Sequence, residues 1–331
     1  MDLSLFFAGT AGSVPSARRG LPALLVRRGA ARILIDCGEG TQRQLVRSVG
    51  LADLTDVFLT HMHADHWLGL PGMLKSFELR DRIKPLTVHG PPGMTALLER
   101  MRPIYGRPTY GLTLRDLEPG EAVRRDDLEV IPFAVRHRGA AFGYALCEDA
   151  RAGRFDAELA EQLGVTPGPA FGRLQRGEIV AGVSPERVIG EPRPGRKVVV
   201  TGDTAPTDAV VVAAHRADVL VHEATFCDEE AERAAQTGHS TARQAAQVAA
   251  DAEVRLLALT HLSSRYSGAA VRDEGRAVFA DTEVPRDFDT IEVPLPERGS
   301  PELVRWDARR TATAASTAAA DAARPPEMES S

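Results

Sequence analysis

The chain has 331 residues, a formal net charge of −6, and 43% hydrophobic and 26% charged residues. This composition suits a soluble globular protein with one large α/β domain or two small ones, and it excludes nucleic-acid binding through a generally basic surface. The sequence has no apolar run near the roughly 20 residues of a membrane span, no basic start of a signal peptide, and only three scattered cysteines. We therefore expect a cytoplasmic protein with no membrane contact and no disulfide framework.

The first third of the chain alternates short apolar runs with Gly and Pro turns, which indicates strands joined by tight loops. Strands are predicted at residues 3–7, 23–26, 31–35 and 55–59, and a helix is predicted at 39–49. The last of these strands runs directly into a histidine-rich loop.

Three further apolar runs, at residues 197–200, 218–221 and 256–259, predict buried strands in the second half of the chain. A residue capable of chemistry follows each of them closely: Asp203, Glu223 and His261. In α/β enzymes, functional side chains lie on loops just past the carboxyl ends of buried strands. The sequence therefore predicts a functional edge at these strand ends.

The segment 151–196 has a different character, rich in Gly, Pro and Arg. A short helix is predicted at 155–163, followed by GVTPGPAFGRLQRGE and PERVIGEPRPG. With so few apolar residues, we expect this segment to bury no core of its own and to form an arm inserted into a domain that spans residues 1–307. The low-complexity segment 308–331 is expected to be a disordered tail.

The strongest chemical signal is the loop His61-Met62-His63-Ala64-Asp65-His66. Four potential metal ligands within six residues cannot all bind one ion, because the backbone directs alternate side chains to different sides. His61 and His63 are expected on one side, and Asp65 and His66 on another. Imidazole with carboxylate suits zinc, with manganese as the alternative, rather than calcium.

Further motifs lie elsewhere in the chain: DCGEGTQRQL at 36–45, GDT at 202–204, HEATF at 222–226, GHSTARQAA at 238–246 and THLSSRY at 260–266. With the histidine loop, they resemble the metallo-β-lactamase superfamily and, within it, the ribonuclease Z family of tRNA 3′-processing endonucleases. The resemblance covers roughly residues 1–295. It implies a four-layer αββα sandwich with an inserted exosite arm.

The resemblance also implies which residues hold two zinc ions per subunit. The expected ligands of the first ion are His61, His63 and His137, those of the second are Asp65, His66 and His261, and Asp203 is shared by both. A carboxylate can be shared because it has two oxygens.

Catalytic roles follow from the same resemblance. Asp65 is expected to accept a proton from the attacking water, and His239 to protonate the leaving 3′ oxygen, oriented by Glu223. Ser240 is expected to cap the following helix, so that His239 lies near a helix N-terminus. Asp36 is a candidate hydrogen-bond partner of a ligand.

The remaining histidines are interpreted as supporting residues. His89 is expected to support a Pro-Gly loop, His215 to be solvated on a predicted helix at 207–216, and His222 to lie behind the ligands rather than among them.

Two regions are candidates for RNA contact. GPAFGRLQRGE resembles the exosite arm that grips the tRNA elbow, which implies phosphate contacts from Arg173 and Arg176. The N-terminal loop resembles the family's PxKxRN loop, which meets the RNA 3′ region. In this chain its Lys and Asn are replaced by Ala17 and Gly20, and Arg18 and Arg19 are the expected contacts.

The sequence thus predicts a zinc-dependent endoribonuclease that removes the 3′ trailer from precursor tRNA, leaving a 3′-hydroxyl on the tRNA and a 5′-phosphate on the trailer. The resemblance implies a homodimer in which one subunit's arm holds tRNA for the other's active site. Two alternatives remain: a small-molecule or cyclic-nucleotide phosphodiesterase of the same fold, and a non-catalytic RNA-binding module.

Overall fold

The structure is a computed structural model of the chain, and it describes residues 2–51 and 53–308. Residues 309–331, which make up all but the first residue of the expected tail, lie outside the described residues. Across the described part of the chain, no helix has both the length and the apolar character needed to cross a membrane.

The strands include all seven that the sequence predicts, with ends shifted by at most two residues. In chain order they are β1 Leu3–Gly9, β2 Ala23–Arg28, β3 Ala31–Ile35, β4 Asp56–Phe58, β5 Leu86–Gly90, β6 Leu112–Asp116, β7 Val123–Arg125, β8 Leu128–Ala134, β9 Phe142–Glu148, β10 Lys197–Val200, β11 Val219–Glu223, β12 Leu257–Thr260, β13 Thr282–Glu283, β14 Thr290–Glu292 and β15 Glu302–Val304.

The helices lie between these strands, with short 3₁₀ turns at Pro185–Arg187, Asp228–Glu230 and Pro296–Arg298. In chain order the α-helices are α1 Thr41–Arg47, α2 Ala64–Trp67, α3 Gly69–Leu79, α4 Met94–Arg100, α5 Arg102–Tyr105, α6 Ala157–Gln162, α7 Pro169–Gln175, α8 Asp208–Ala214, α9 Ala231–Thr237, α10 Ala242–Asp251 and α11 Gly268–Arg276.

The strands form two sheets that pack face to face. The first has the order β15-β14-β1-β2-β3-β4-β5-β6, and the second has the order β13-β12-β11-β10-β9-β8-β7. Alternation along each strand gives every sheet two apolar faces; in β1, Leu3, Leu5 and Phe7 enter the core shared by the two sheets. Phe6 and Ala8 face α1, α3 and α4 instead. The helices α8, α10 and α11 cover the outer face of the second sheet. The expected αββα sandwich is therefore the observed architecture.

The carboxyl ends of the central strands meet at one edge of the sandwich. Strands β3 to β6 run parallel in the first sheet, and β10 to β13 run parallel in the second. Parallel neighbours present their carboxyl ends on the same side, so the loops after β4, β10, β11 and β12 can converge. The loops after β4, β10 and β12 carry six of the seven candidate metal ligands, and the connection between β11 and β12 carries His239.

The expectation that the arm buries no core of its own is wrong. Its apolar residues are few, but they come together in a separate small cluster: Ala160, Val165, Leu174, Val183 and Val188 are buried, with Phe155, Leu159, Phe171 and Ile189 among those packed around them. The helices α6 and α7 each contribute one side chain to this core, Ala160 and Leu174 respectively. Glycine and proline turns between these residues fold the segment back on itself, which a count of apolar residues does not reveal.

The two ends of the arm are joined where they leave the sandwich. The backbone amide of Arg151 donates to the carbonyl of Arg193 over 2.7 Å, and the reverse bond is 2.8 Å. A Cβ on Gly153 would lie 1.8 Å from the carbonyl oxygen of Gly190, so only glycine fits there. Both arginines also pair with Glu297 of the main domain. The arm is thus tied to the sandwich at its base.

Buried ion clusters connect the two sheets. Glu148 at the end of β9 pairs with Arg28 of β2 and with Arg196 just before β10, and all three side chains are less than 10% exposed. Burial acts to raise the pKa of Glu148, but hydrogen bonds from Arg196 and Arg28 outweigh it and lower the pKa to about 2. Removing one partner would leave a buried uncompensated charge.

Candidate metal centre

The histidine-rich loop follows β4 and becomes α2, a helix of one turn. His61 and His63 precede the helix in extended backbone, and Asp65 and His66 lie on it. The change from extended to helical backbone directs the first pair and the second pair to different positions. His66 is fully enclosed, whereas Asp65 is partly exposed.

The structure brings all seven predicted ligands together, in two groups. Within each group, the candidate ligand atoms lie within 4.8 Å of one another; the groups are His61, His63, His137 and Asp203, and Asp65, His66 and His261. His137 comes from the loop between β8 and β9, and His261 directly follows β12.

Asp203 lies between the two groups and presents one oxygen to each. Its Oδ1 is 3.4 Å from Nε2 of His66 and 3.2 Å from Nε2 of His261. Its Oδ2 is 3.7 Å from Nε2 of His61 and 3.9 Å from Nε2 of His137. This placement agrees with the shared role that the sequence predicts for Asp203.

Four of the imidazoles are oriented by a partner on their outer nitrogen. In each case Nδ1 is within hydrogen-bond distance of an acceptor: His61 with Thr60 Oγ1 at 3.1 Å, His66 with Asp36 Oδ2 at 2.7 Å, His137 with the Gly238 carbonyl at 2.8 Å, and His261 with Thr225 Oγ1 at 2.8 Å. Thr60 and Thr225 donate their own hydrogens to carboxylates, so they accept from the rings. The proton therefore lies on Nδ1, and Nε2 is left to face the centre.

The electrostatics of the cluster favour positive charge. Burial opposes the charged form of His66, but Asp203 and Asp36 outweigh it and raise the His66 pKa well above its ordinary value. Burial also acts to raise the pKa of Asp203, yet the charges of His261 and His66 lower it well below its ordinary value. Burial, and then the charge of His66, lower the pKa of His61 to about 2. The carboxylates thus remain ionised and His61 neutral, as metal ligands must be, whereas His66 would release a proton when an ion binds.

The donor set fits divalent transition-metal ions. Two buried donor atoms that face the centre, His61 Nε2 and Asp203 Oδ1, make no hydrogen bond within the described chain. Nitrogens of different histidines also approach closely, with 3.2 Å between His137 Nε2 and His63 Nδ1. Buried polar atoms without a partner are rare, and their convergence marks a cation-binding position. Imidazole with carboxylate is the chemistry that zinc or manganese accepts.

His239 lies beside the cluster and is held by Glu223. Its Nδ1 donates to Glu223 Oε1 over 2.8 Å. The same nitrogen lies 3.9 Å from Asp203 Oδ2, but its hydrogen is directed to Glu223. Burial acts to lower the His239 pKa, but the hydrogen bond and charge of Glu223 outweigh it and raise the pKa to about 8. Glu223 is itself fixed by the backbone amides of Thr204 and Thr225. With Asp203 and His261, His239 forms a third group whose candidate ligand atoms lie within 4.8 Å of one another, but the bond to Glu223 occupies its Nδ1 and leaves Nε2 for another partner.

The helix after His239 is capped differently from the sequence prediction. Thr241, not Ser240, is the N-cap of α10, and it forms a reciprocal capping box with Gln244. Ser240 instead donates its hydroxyl to the carbonyl of Thr204. This bond joins the loop of His239 to the loop of Asp203.

The N-terminal loop 10–20 closes over one side of the cluster. The amide of Ser13 donates to Asp65 Oδ2 over 2.9 Å. A Cβ on Gly12 would lie 2.5 Å from Nδ1 of His261, so the loop packs directly on that ring. The carboxylate of Asp287 anchors the other end of the loop, accepting from Thr10 Oγ1 at 2.7 Å and from the Gly20 amide at 2.6 Å.

The four predicted RNA-contact arginines occupy different environments. Arg18 is exposed on the N-terminal loop, whereas Arg19 is partly buried and donates to Thr10 and to the carbonyl of Pro285. On the arm, Arg173 and Arg176 are exposed but both pair with Glu178, at 2.7 Å and 3.5 Å. Glu178 therefore neutralises part of the arm's positive charge.

The remaining histidines lie outside the cluster. His89 lies within β5 rather than in a supporting loop; it is buried, stacked on Phe58 and bonded to Asp56 at 2.9 Å. His215 is exposed just after α8. His222 is buried in β11 with its Nδ1 on the carbonyl of Glu223, and it belongs to neither ligand group.

The sequence analysis did not identify the residues that hydrogen-bond the candidate ligands and orient them. Thr60 and Thr225 adjoin predicted site residues in the sequence, so their hydroxyls next to metal ligands were an available signal. Ser13 and Asp287 carry no such signal, because each reaches the site across more than 50 residues of sequence.

Comparisons with known proteins agree with this geometry. The family described as "Beta-lactamase superfamily domain" matches residues 31–262. The chain is 48% identical over 304 residues to a ribonuclease Z of Haloferax volcanii, covering 89% of this chain and 96% of the relative. It is 44% identical over 307 residues to a ribonuclease Z of Gemmatimonas aurantiaca, covering 90% and 98%. The crystal structure of the short form of human tRNase Z is similar with a TM-score of 0.66 and 26% identity, covering 88% of this chain and all of that one.

Proposed function

The chain belongs to the ribonuclease Z family of the metallo-β-lactamase superfamily, and from this membership we propose that it is a metal-dependent endoribonuclease that removes the 3′ trailer from precursor tRNA. The observation that carries the proposal is the convergence of seven metal donors with the His239–Glu223 pair at one edge of the sandwich. A non-catalytic RNA-binding module would not need this complete set. Family membership likewise favours RNA over a small phosphodiester as the substrate.

The centre would hold two zinc ions, with manganese as the alternative. His61, His63 and His137 would bind one ion, Asp65, His66 and His261 the other, and Asp203 both, as the distances from its two oxygens support. When bound, such ions supply Lewis acidity that activates water and offsets the negative charge developing on the phosphate.

The proton transfers fall to Asp65 and His239. Asp65 is the partly exposed carboxylate at the mouth of the cluster, and the Ser13 amide fixes one of its oxygens. It accepts the proton of the attacking water. His239, with Nδ1 bonded to Glu223, donates from Nε2 to the leaving 3′ oxygen, so the tRNA keeps a 3′-hydroxyl and the trailer a 5′-phosphate.

Substrate binding is assigned to the arm and the N-terminal loop. Arg173 and Arg176 on the arm would contact phosphates of the tRNA elbow, with Glu178 moderating their charge. Arg18 would contact RNA near the cleaved bond, while the partly buried Arg19 chiefly fixes the loop.

The protein is proposed to act as a homodimer in which one subunit's arm holds tRNA for the other's active site. Mixing two inactive variants tests this arrangement. An arm-deleted subunit keeps its metal centre, and an Asp203→Ala subunit keeps its arm, so a mixed dimer would contain one competent combination. Recovery of cleavage on mixing supports the arrangement, and no recovery, with mixed dimers shown by light scattering and native mass spectrometry, contradicts it.

The activity is tested by mapping the cut in a precursor tRNA that carries a 3′ trailer and a labelled 5′ end. We expect one internal cut after the discriminator nucleotide, with a 3′-hydroxyl and an intact 5′-phosphorylated trailer. A tRNA already ending in CCA, used as a second substrate, measures the effect of Ala17 and Gly20 in the N-terminal loop. Absence of cleavage, or stepwise shortening from the 3′ end, would overturn the proposed endonuclease, and the Asp203→Ala protein controls for contaminating nucleases.

A further inference from the structure

A cavity lined by arginines opens beside the metal centre, and only Arg18 and Arg19 among its lining residues were expected from the sequence to contact RNA. Its volume is about 620 Å³. Among the described residues that line it, five are arginines, four are serines and none is acidic; the arginines are Arg18, Arg19, Arg272, Arg286 and Arg305. In a chain with a net charge of −6, five arginines around one concavity are a local reversal of the overall charge.

The same two loops form the wall of the metal centre and the wall of this cavity. The loop 10–20 contacts His261 and Asp65 through Gly12 and Ser13, and its later residues Ser16, Arg18 and Arg19 line the cavity. The loop after His261 also connects the metal centre to the cavity, because Ser263, Ser264 and Ser267 line the cavity. The cavity therefore adjoins the metal centre through these two loops.

Neighbouring acids offset the positive charge of some of these arginines but not of all five. Arg272 pairs with Asp273 at 2.8 Å, and Arg305 pairs with Asp289 at 2.8 Å. Within residues 2–51 and 53–308, no acidic side chain forms an ion pair with Arg18 or Arg286, which are both exposed. Arg19 donates to the Thr10 hydroxyl and to the carbonyl of Pro285. A Cβ at Gly268, the first residue of α11, would lie 3.0 Å from the Arg19 guanidinium, so glycine there leaves space for it.

We propose that this cavity binds phosphate groups of the RNA substrate next to the cleaved bond, with Arg272 and Arg286 as contacts in addition to Arg18. The proposal rests on the proposed function, because it takes RNA as the substrate. Every nucleotide of RNA carries one phosphate charge, so a phosphate in the metal centre brings neighbouring phosphates to the adjoining cavity. Planar guanidinium groups and serine hydroxyls are the donors that phosphate oxygens accept.

Two sources could supply these phosphates: the trailer, on one side of the cut, or the tRNA body, on the other. Binding is measured by fluorescence anisotropy with precursor tRNA and with mature tRNA that lacks a trailer, and cleavage kinetics are measured with the precursor. The variants are Arg272→Gln and Arg286→Gln. The matched control is Arg100→Gln, an exposed arginine at the end of α4, a helix that contributes nothing to the cavity.

Each cavity variant is expected to weaken precursor binding roughly three- to tenfold and to lower the slope of log affinity against log salt by about one, whereas Arg100→Gln changes neither. An equal loss with mature tRNA assigns the cavity to the tRNA body, and a loss with the precursor alone assigns it to the trailer. Unchanged affinity for both RNAs overturns the proposal. An equal loss of activity on bis(p-nitrophenyl) phosphate also overturns it, because that result indicates a damaged metal centre. If the wild-type protein binds precursor tRNA without cutting it, the proposed function fails, while the binding comparison still decides the role of the cavity.

Discussion

Single hydrogen bonds to the outer nitrogens of the imidazoles determine what the metal centre can do. Thr60, Asp36, Gly238 and Thr225 each fix one ring so that Nε2 faces inward. Such outer partners set both the tautomer and the orientation of a ligand, and losing one typically costs 10- to 100-fold in metal affinity or activity. The geometry of the cluster therefore depends on the residues that bond the outer nitrogens as much as on the ligands themselves.

His239 offers a prediction at this scale. His239→Ala should slow cleavage of precursor tRNA by roughly 100- to 10,000-fold, because the leaving 3′ oxygen is a poor leaving group without a proton. The loss should be much smaller for a nitrophenyl phosphodiester, whose leaving group needs little protonation. Turnover of both substrates and zinc content are measured on the same sample.

An equal loss on both substrates with zinc retained would contradict the assignment of His239 as the leaving-group acid. His215→Ala is the matched control, since His215 is exposed and lies outside the cluster. It should leave turnover of both substrates unchanged.

The sequence predicted the ligand residues better than their supports. His61, His63, Asp65 and His66 lie within six residues, so their chemistry is visible locally. His137 could be assigned only through the family motifs. Thr60 lies next to His61 in the sequence, but other supports depend on long-range contacts: Ser13 reaches Asp65 across 52 residues, and Asp287 reaches Thr10 across 277. No local pattern carries such pairings.

At the scale of elements, the N-terminal loop is held at its base and along its length. Its two ends, Thr10 and Gly20, both donate to Asp287, which also accepts from Gln44. Within the loop, the Ser13 amide donates to Asp65. Asp287 therefore acts as a positioning residue for Asp65 without touching it.

Asp287→Ala should lower kcat on both precursor tRNA and the nitrophenyl diester by roughly tenfold, because the loop no longer holds Asp65 in one orientation. Asp287→Asn, which keeps one carbonyl acceptor, should recover part of the loss. Steady-state kinetics and zinc content are the measurements. Asp281→Ala, at an exposed aspartate outside this network, serves as the control.

A change in KM alone, with kcat and zinc content as in the wild type, would contradict the positioning role of Asp287. That result would mean that the loop serves RNA binding only.

The arm shows where sequence reasoning failed on an element. Its apolar residues are spaced among Gly and Pro, so neither helical nor strand periodicity exposes them. The structure nevertheless gathers Leu174, Val183 and Val188 into a separate core, and Arg151 and Arg193 close its base. Segments with irregular backbone can bury residues in a pattern that only the fold reveals.

Because the arm begins and ends at paired residues, residues 153–192 can be replaced by a short Gly/Ser linker without stretching the chain. Cleavage of the nitrophenyl diester should be preserved, since the arm shares no core with the sandwich. Affinity for precursor tRNA should fall at least tenfold and its salt dependence should flatten as phosphate contacts are lost. Unchanged tRNA affinity would show that the arm is not the exosite.

At the scale of the whole molecule, the two sheets are joined by an apolar core and by buried ion clusters. The Arg28–Glu148–Arg196 cluster lies between a strand of the first sheet and two strands of the second. The Asp56–His89–Arg125 cluster makes a second such connection, from β4 and β5 to β7. The sequence predicted the strands but not these connections, because they pair charges more than 30 residues apart.

Glu148 makes stability depend on pH in a defined range. Its folded pKa of about 2 lies below the ordinary 4.5, so the ionised carboxylate stabilises the fold fully above pH 4.5, and this contribution is lost as the pH falls from 4.5 towards 2. Glu148→Gln should lower the free energy of unfolding at pH 7 by about 2–4 kcal/mol, since it removes the buried negative charge that pairs with both Arg28 and Arg196.

Urea unfolding at pH 7 and at pH 3.5 measures this difference. We expect the gap between wild type and Glu148→Gln to shrink at the lower pH, and Glu129→Gln, at a surface ion pair, to change stability by less than about 0.5 kcal/mol. A gap that is the same at both values, or absent at pH 7, would contradict the role given to Glu148.

The proposed two-metal centre depends on one carboxylate, that of Asp203, which presents one oxygen to each of the two ligand groups. Its most direct test is zinc per chain, measured by elemental analysis and native mass spectrometry on the wild type, Asp203→Ala and His261→Ala. We expect about two zinc ions in the wild type, about one in His261→Ala, and loss of both in Asp203→Ala, because only Asp203 presents an oxygen to each group. Two tightly held zinc ions in Asp203→Ala would contradict the shared centre.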